Sequence, residues 1–176
     1  MATNPVIDDL RRIKRGLTLL NGQEIKIGIC DNVSGEVLMI ANVHEYGCTI
    51  KVTPRMKAFL RYKGINLKST TAYINIPERS FIRESFDTGQ REMNEIVKAE
   101  YVKVINGETT PEKAMESIGM QLVQLTQNYV REGKVTPEIS DYTKEHRAST
   151  TETPLFDTGD NIVSRISYKI VTEGGG

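Results

Sequence analysis

Apolar side chains return every third or fourth residue in three stretches of the chain and every second residue in two others. These two periods predict the elements. Over residues 8–20, Leu10, Ile13, Gly16 or Leu17, and Leu20 share one side of a helix whose other side is basic, and Gly22 stops it. Ile25, Ile27 and Ile29 then alternate with Lys26 and Gly28 as a half-buried strand, and a turn covers Asp31–Gly35. Val37–Val43 is too uniformly apolar for its period to choose between a short helix and a buried strand. Two strands are expected near Thr49–Thr53 and Ala72–Ile76. They bracket a compact stretch, Met56–Tyr62, that mixes Met, Phe, Leu and Tyr with Arg55, Lys57, Arg61 and Lys63, a composition that suits either an arm packing on a neighbouring subunit or an ordinary local helix.

Two long helices follow. Asp87 with Gln90 three residues on has the form of a capping box, after which Met93, Ile96, Val97, Tyr101 and Val104 recur at helical spacing up to Asn106-Gly107. Thr110-Pro111 opens the second, with a Thr cap, Pro in the first turn and Glu112 at the positive end of the dipole. Its stripe is Ala114, Ile118, Leu122, Leu125 and Tyr129, with Met115 beside it, and Gly133 closes it. Residues 133–153 read as a polar loop, Ile166, Tyr168 and Ile170 as a last strand, and Gly174–Gly176 as a disordered tail. The expected fold is α+β: one domain over 1–173, a small, mostly antiparallel sheet packed by two long helices and an N-terminal helix. Residues 48–76 form an inserted hairpin or arm. Strands drawn from both ends and from the middle must pair across the helices.

Composition narrows the function. Lys and Arg number 23 and so do Asp and Glu, a balance that argues against phosphate binding as the main activity. Arg11, Arg12, Lys14 and Arg15 are expected to form a solvated face; their alternative is a DNA contact. Cys30 and Cys48 are too few for a disulfide scaffold, lack metal-ligand spacing, and are expected to be free thiols. With no apolar run fit for a signal peptide or a membrane span, the expected place of synthesis is the cytoplasm, with no membrane partner.

Three phrases hold the candidate chemistry. Leu155-Phe156-Asp157-Thr158-Gly159 has the triplet of an aspartic protease, and Phe86-Asp87-Thr88-Gly89 repeats it. That chemistry needs two carboxylates sharing a proton on loops of β-lobes. Here two helices separate the copies and only 17 residues follow Gly159, so both are read as helix caps. His44-Glu45-Tyr46-Gly47 resembles half of a metalloprotease helix, but position 48 is Cys. A zinc site gathering His44, Cys48, His146 and Cys30 has no standard spacing, and the phrase is read as the end of an element, with Gly47 at positive φ. Ile76-Pro77-Glu78-Arg79-Ser80-Phe81-Ile82-Arg83 is a strand end, a proline stop and a turn of helix. Phe81, Ile82 and Phe86 are expected to bury. Arg79 and Arg83 are expected on one helical face, making bidentate ion pairs within or between subunits. No cofactor or metal is called for, and with only two histidines no Ser/His/Asp triad can be drawn.

The order of these phrases resembles the neck, virion-morphogenesis and tail-completion families of long-tailed bacteriophages, similar in pattern to lambda-like minor tail protein Z. An apolar segment ends in His-Glu-aromatic-Gly. Ile-Pro-x-Arg-x-Phe-hydrophobic-Arg follows, then two amphipathic helices, a polar loop, Pro-Leu-hydrophobic-Asp-Thr-Gly and a final Ser-hydrophobic-x-Tyr strand, over roughly residues 24–171. The chain departs from the family in having Ser80 where proline is usual, a long segment between Gly47 and Ile76, and a mixed linker (Lys144, His146, Arg147) before Pro154. The resemblance implies a structural virion protein and not an enzyme. It implies partners too: further copies in a ring, often sixfold, head-closure or connector proteins, and tail-tube or tail-terminator proteins, with phage DNA passing through. On that reading Met56, Phe59 and Tyr62 of the arm, with Arg79 and Arg83, face neighbouring subunits. The chain would reside in the virion, and in the host cytoplasm during assembly.

Overall fold

The structure, a computed structural model, describes residues 5–30, 33–140, 144–145, 155 and 162–172. Five helices and four strands follow in the order α1 (Pro5–Asn21), β1 (Gln23–Gly28), α2 (Gly35–Tyr46), β2 (Cys48–Lys51), α3 (Pro54–Tyr62), β3 (Tyr73–Ile76), α4 (Arg83–Asn106), α5 (Pro111–Arg131) and, after a 3-10 turn at Ile162–Arg165, β4 (Ser167–Thr172). The expected α+β fold is present, with its sheet split into two separate ladders. β1 pairs antiparallel with β4, Ile25 opposite Ile170 and Ile27 opposite Tyr168, so the two ends of the chain close on each other. β2 pairs antiparallel with β3, from Cys48 opposite Ile76 to Lys51 opposite Tyr73. That second ladder is the inserted arm, with α3 at its far end.

Local chemistry sets most boundaries. The Val37–Val43 segment is helical because Ser34 caps it, its hydroxyl accepting from the Val37 N–H at 3.4 Å. Thr53 caps α3 through Met56 N–H at 3.2 Å and Thr110 caps α5 through Lys113 N–H at 3.4 Å, each followed by proline. Gly107, in the left-handed region at φ 77°, ends α4.

Two apolar clusters carry the body. In the first, Leu20 of α1, Met93 and Val104 of α4, and Ala114, Met115, Ile118 and Leu122 of α5 pack with Ile25, Ile27 and Ile170 of the end ladder. Here α5 crosses β4 so closely that a Cβ on Gly119 would overlap the Tyr168 ring. In the second, Ala41, Phe81, Val130, Val135, Ile162, Val163 and Ile166 meet. Val135 sits in the segment read as a polar loop, yet it is fully buried and ties that segment to the body.

Four expectations are corrected. Leu10 is exposed, because only the C-terminal half of α1, at Gly16 and Leu20, is covered by α4 and α5. Phe86 is exposed too, one turn beyond the packed Phe81. Asp87 and Gln90 are not a cap: α4 begins a turn earlier, at Arg83, so both lie inside the helix. Arg79 and Arg83 do not share a helical face, because Arg79 precedes the helix. The expectations for Asp157, Gly159, His146 and Gly174–Gly176 concern residues outside those described.

Candidate functional site

Two of the three phrases fold onto each other where the arm joins the body. α4 starts with Ile82 at its cap position, whose side chain makes no capping bond, and its first N–H groups need an acceptor. Glu45, at the end of α2, supplies it. One carboxylate oxygen accepts from Ile82 N–H at 3.0 Å, the other from Arg83 N–H at 3.1 Å, the Ser80 hydroxyl at 2.8 Å and Arg83 Nε at 3.0 Å. A buried carboxylate at a helix N-terminus is held by the dipole and by charge-assisted hydrogen bonds together. The Ser80 hydroxyl thus ties the turn before α4 to the end of α2.

The same knot orders both chain crossings. Arg83 also donates to the Glu45 carbonyl at 2.6 Å and to Glu78 at 2.8 Å, and its guanidinium lies 4.7 Å from the centre of the exposed Tyr46 ring. Arg79 donates its backbone N–H to His44 C=O at 2.7 Å. Its buried guanidinium donates to the carbonyls of Pro137 at 2.8 Å and Glu138 at 3.1 Å. Both arginines therefore bond within their own chain, one of the two alternatives the sequence left open. Between these contacts Gly47 takes φ 70°, ψ 170°, a conformation open almost only to glycine, and a Cβ there would sit 2.9 Å from Glu78 N. Pro77 follows β3 and, lacking an N–H, ends the ladder. Phe81 anchors the turn in the second cluster, and Leu155, the described residue of the third phrase, packs against that cluster as well.

His44 sits half-buried beside this knot, with Nδ1 buried and without a hydrogen-bond partner in the described residues. Burial, and then the nearby Arg79 charge, hold its pKa below 6.5. Among the described residues no three His, Cys, Asp or Glu side chains converge as a metal site would require. Cys30 turns its thiol to the Lys26 carbonyl, while Cys48 opens β2. Asp87 is exposed on α4, a helix and not the loop that an aspartic protease needs. Beside it an open groove of about 400 Å³, lined by Ile25, Ile27, Ile82, Phe86, Met93 and Leu122, offers apolar surface with Arg83 and Asp87 as its charges.

Glu45 as a cap supplied from a distant helix was invisible to local pattern, whereas a second buried carboxylate left a trace that the sequence reading missed. Glu100 on α4 is buried and accepts from Lys103 at 2.7 Å, Ser117 at 3.0 Å and Gln121 at 3.3 Å, joining α4 to α5. Burial alone would raise its pKa; the hydrogen bonds, Lys103 foremost, overcome that and hold it below 4.5. The available signal was an acid at core spacing, four residues from both Ile96 and Val104.

No family model, curated protein or solved structure matches the chain. No helix among the described residues is long and apolar enough to cross a membrane.

Proposed function

We propose that the chain is a structural virion protein of a tailed phage or prophage, completing the tail and joining it to the head as a ring. It works by forming interfaces and not by turnover. One observation carries the reading most directly: the arm, residues 48–76, contains no buried residue. α3 exposes Phe59 and Tyr62, the latter 84% accessible, and Tyr73 of β3 is open as well, with Met56 half-covered. An appendage of this length contributes nothing to the core of its own chain, and exposed aromatic surface of this kind fits a protein partner.

The base of the arm supports the same reading. α2 is apolar on nearly every side but buries only Ala41 and Glu45, leaving Leu38, Met39, Ile40 and Tyr46 accessible. This face leads directly into the arm, and Glu45 ties the end of α2 to residues 80–83, which follow the arm. The partners that fit are further copies in a ring, head-closure or connector proteins on one side and tail-tube or terminator proteins on the other, with DNA passing through. The order of the three phrases is what selects this class of assembly.

Replacing Phe59 and Tyr62 together by serine tests the proposal, because neither side chain supports the fold. Self-association measured by analytical ultracentrifugation is expected to weaken at least about tenfold with the thermal midpoint unmoved. Association identical to that of the unsubstituted chain would count against it.

A further inference from the structure

The neutral balance of the chain conceals a separation of charge. The arm holds Lys51, Arg55, Lys57, Arg61, Lys63 and Lys68 and not one Asp or Glu, leaving seventeen basic against 23 acidic residues elsewhere. We infer that this arm is a contact surface for the phosphate backbone of double-stranded DNA.

None of the six cations makes an ion pair among the described residues. Five are exposed; Lys57 is half-covered and donates to the Ser69 carbonyl at 2.8 Å. The cations run the length of the arm: Lys51 ends β2, Arg55, Lys57 and Arg61 lie on α3, Lys63 caps it, and Lys68 is on the return. The basic run of α1 is different. Arg11 and Arg12 pair with Asp8 and Asp9 at 3.5 and 3.6 Å, and Arg12 also donates to the Val104 and Ile105 carbonyls at 3.2 Å, closing the C-terminal end of α4. The phosphate-binding potential is therefore on the arm and not on α1.

Charge also decides between a polyanion and an acidic protein surface. Four of the six cations are lysines, which the core of a protein interface, here Phe59 and Tyr62, disfavours, so the cations fall outside that core, where unpaired lysines and arginines along a projecting element match a phosphate backbone. The net negative remainder repels DNA, so contact is confined to the arm. Lys63 lies 5.9 Å over the Phe59 ring and covers one of its two faces.

The inference stands on the arm charge alone and not on ring formation, so the two are separable. Full-length protein is titrated into a short labelled DNA duplex by fluorescence anisotropy across a salt series, with particle mass recorded on the same samples. Six phosphate contacts predict a loss of affinity on the order of 10³-fold between 50 and 200 mM salt. The quadruple substitution Arg55→Ser, Arg61→Ser, Lys63→Ser and Lys68→Ser, all at exposed positions, is expected to lower the log–log salt slope by about one per cation removed. Circular dichroism checks that the fold is retained. Absence of duplex binding at low salt, an unchanged slope in the variant, or preference for a single strand would each overturn the inference. So would a variant that loses self-association while its parent binds no duplex, since the cations would then face a protein.

Discussion

The residue on which most depends is Glu45, a single carboxylate that caps α4, fixes Ser80 and pairs with Arg83. Glu45→Ala leaves the first N–H groups of α4 without their acceptor in a buried place, and is expected to lower unfolding free energy by roughly 3 kcal/mol in urea titrations. A change under about 0.5 kcal/mol, the size of an ordinary surface substitution, would show that water replaces it freely. His44 sets a pH window of its own. Burial and Arg79 keep it neutral in the folded state, with a pKa below 6.5, so on acidification the unfolded chain takes up this proton first. Its contribution is present above pH 6.5 and is lost as pH falls from there toward the folded value. Thermal midpoints should therefore drop on acidification in this range, and His44→Gln should flatten the drop. The carboxylate of Glu100 acts in a separate range, below 4.5. An unaltered profile in His44→Gln would assign the loss to other groups.

At the scale of elements, two glycines fix how pieces meet. Gly47→Ala places a Cβ in a glycine-only conformation, 2.9 Å from Glu78 N, at the hinge between α2 and the arm. It is expected to lower stability by about 1–3 kcal/mol, measured by chemical denaturation, while Gly35→Ala, where an added Cβ meets nothing within 4 Å, serves as the neutral control. Equal stability of the two variants would contradict this account of the hinge. The elements themselves were largely legible, because their caps are local: Thr53-Pro54, Thr110-Pro111 and Gly107 can be read one turn at a time. The start of α4 was not, because its cap comes from Glu45, 37 residues away from Ile82. The Asp87-Gln90 pattern offered a local cap that the fold leaves inside the helix. For the same reason Arg83 was legible as an ion-pairing residue but not by partner, while Arg79, expected to pair with a carboxylate, binds two backbone carbonyls instead. Pairing of β1 with β4 was foreseen only as a need to pair across the helices, since register depends on side chains more than a hundred residues apart.

For the whole molecule, the division is between a body that holds the core and an arm that holds none of it. The body explains itself: two apolar clusters, a closed end ladder, and carboxylates satisfied at Glu45 and Glu100. On the proposed reading the arm and the exposed residues of α2 serve contacts outside the chain. In the proposed assembly, a contact from the arm to a neighbouring body would be heterologous, and such a contact closes into a ring when its rotation permits. Proteolysis offers an accessory check: cleavage in isolated protein is expected first within residues 63–72, which hold no regular element, and assembly should suppress it. Cleavage there at the same rate before and after assembly would leave the arm outside the interface. Ring formation can be seen by negative-stain electron microscopy of the concentrated chain, with the Phe59→Ser, Tyr62→Ser variant beside it. Ring-shaped particles of uniform diameter are expected for the first and single-chain particles for the second; single chains in both, or rings in both, would contradict the proposed assembly.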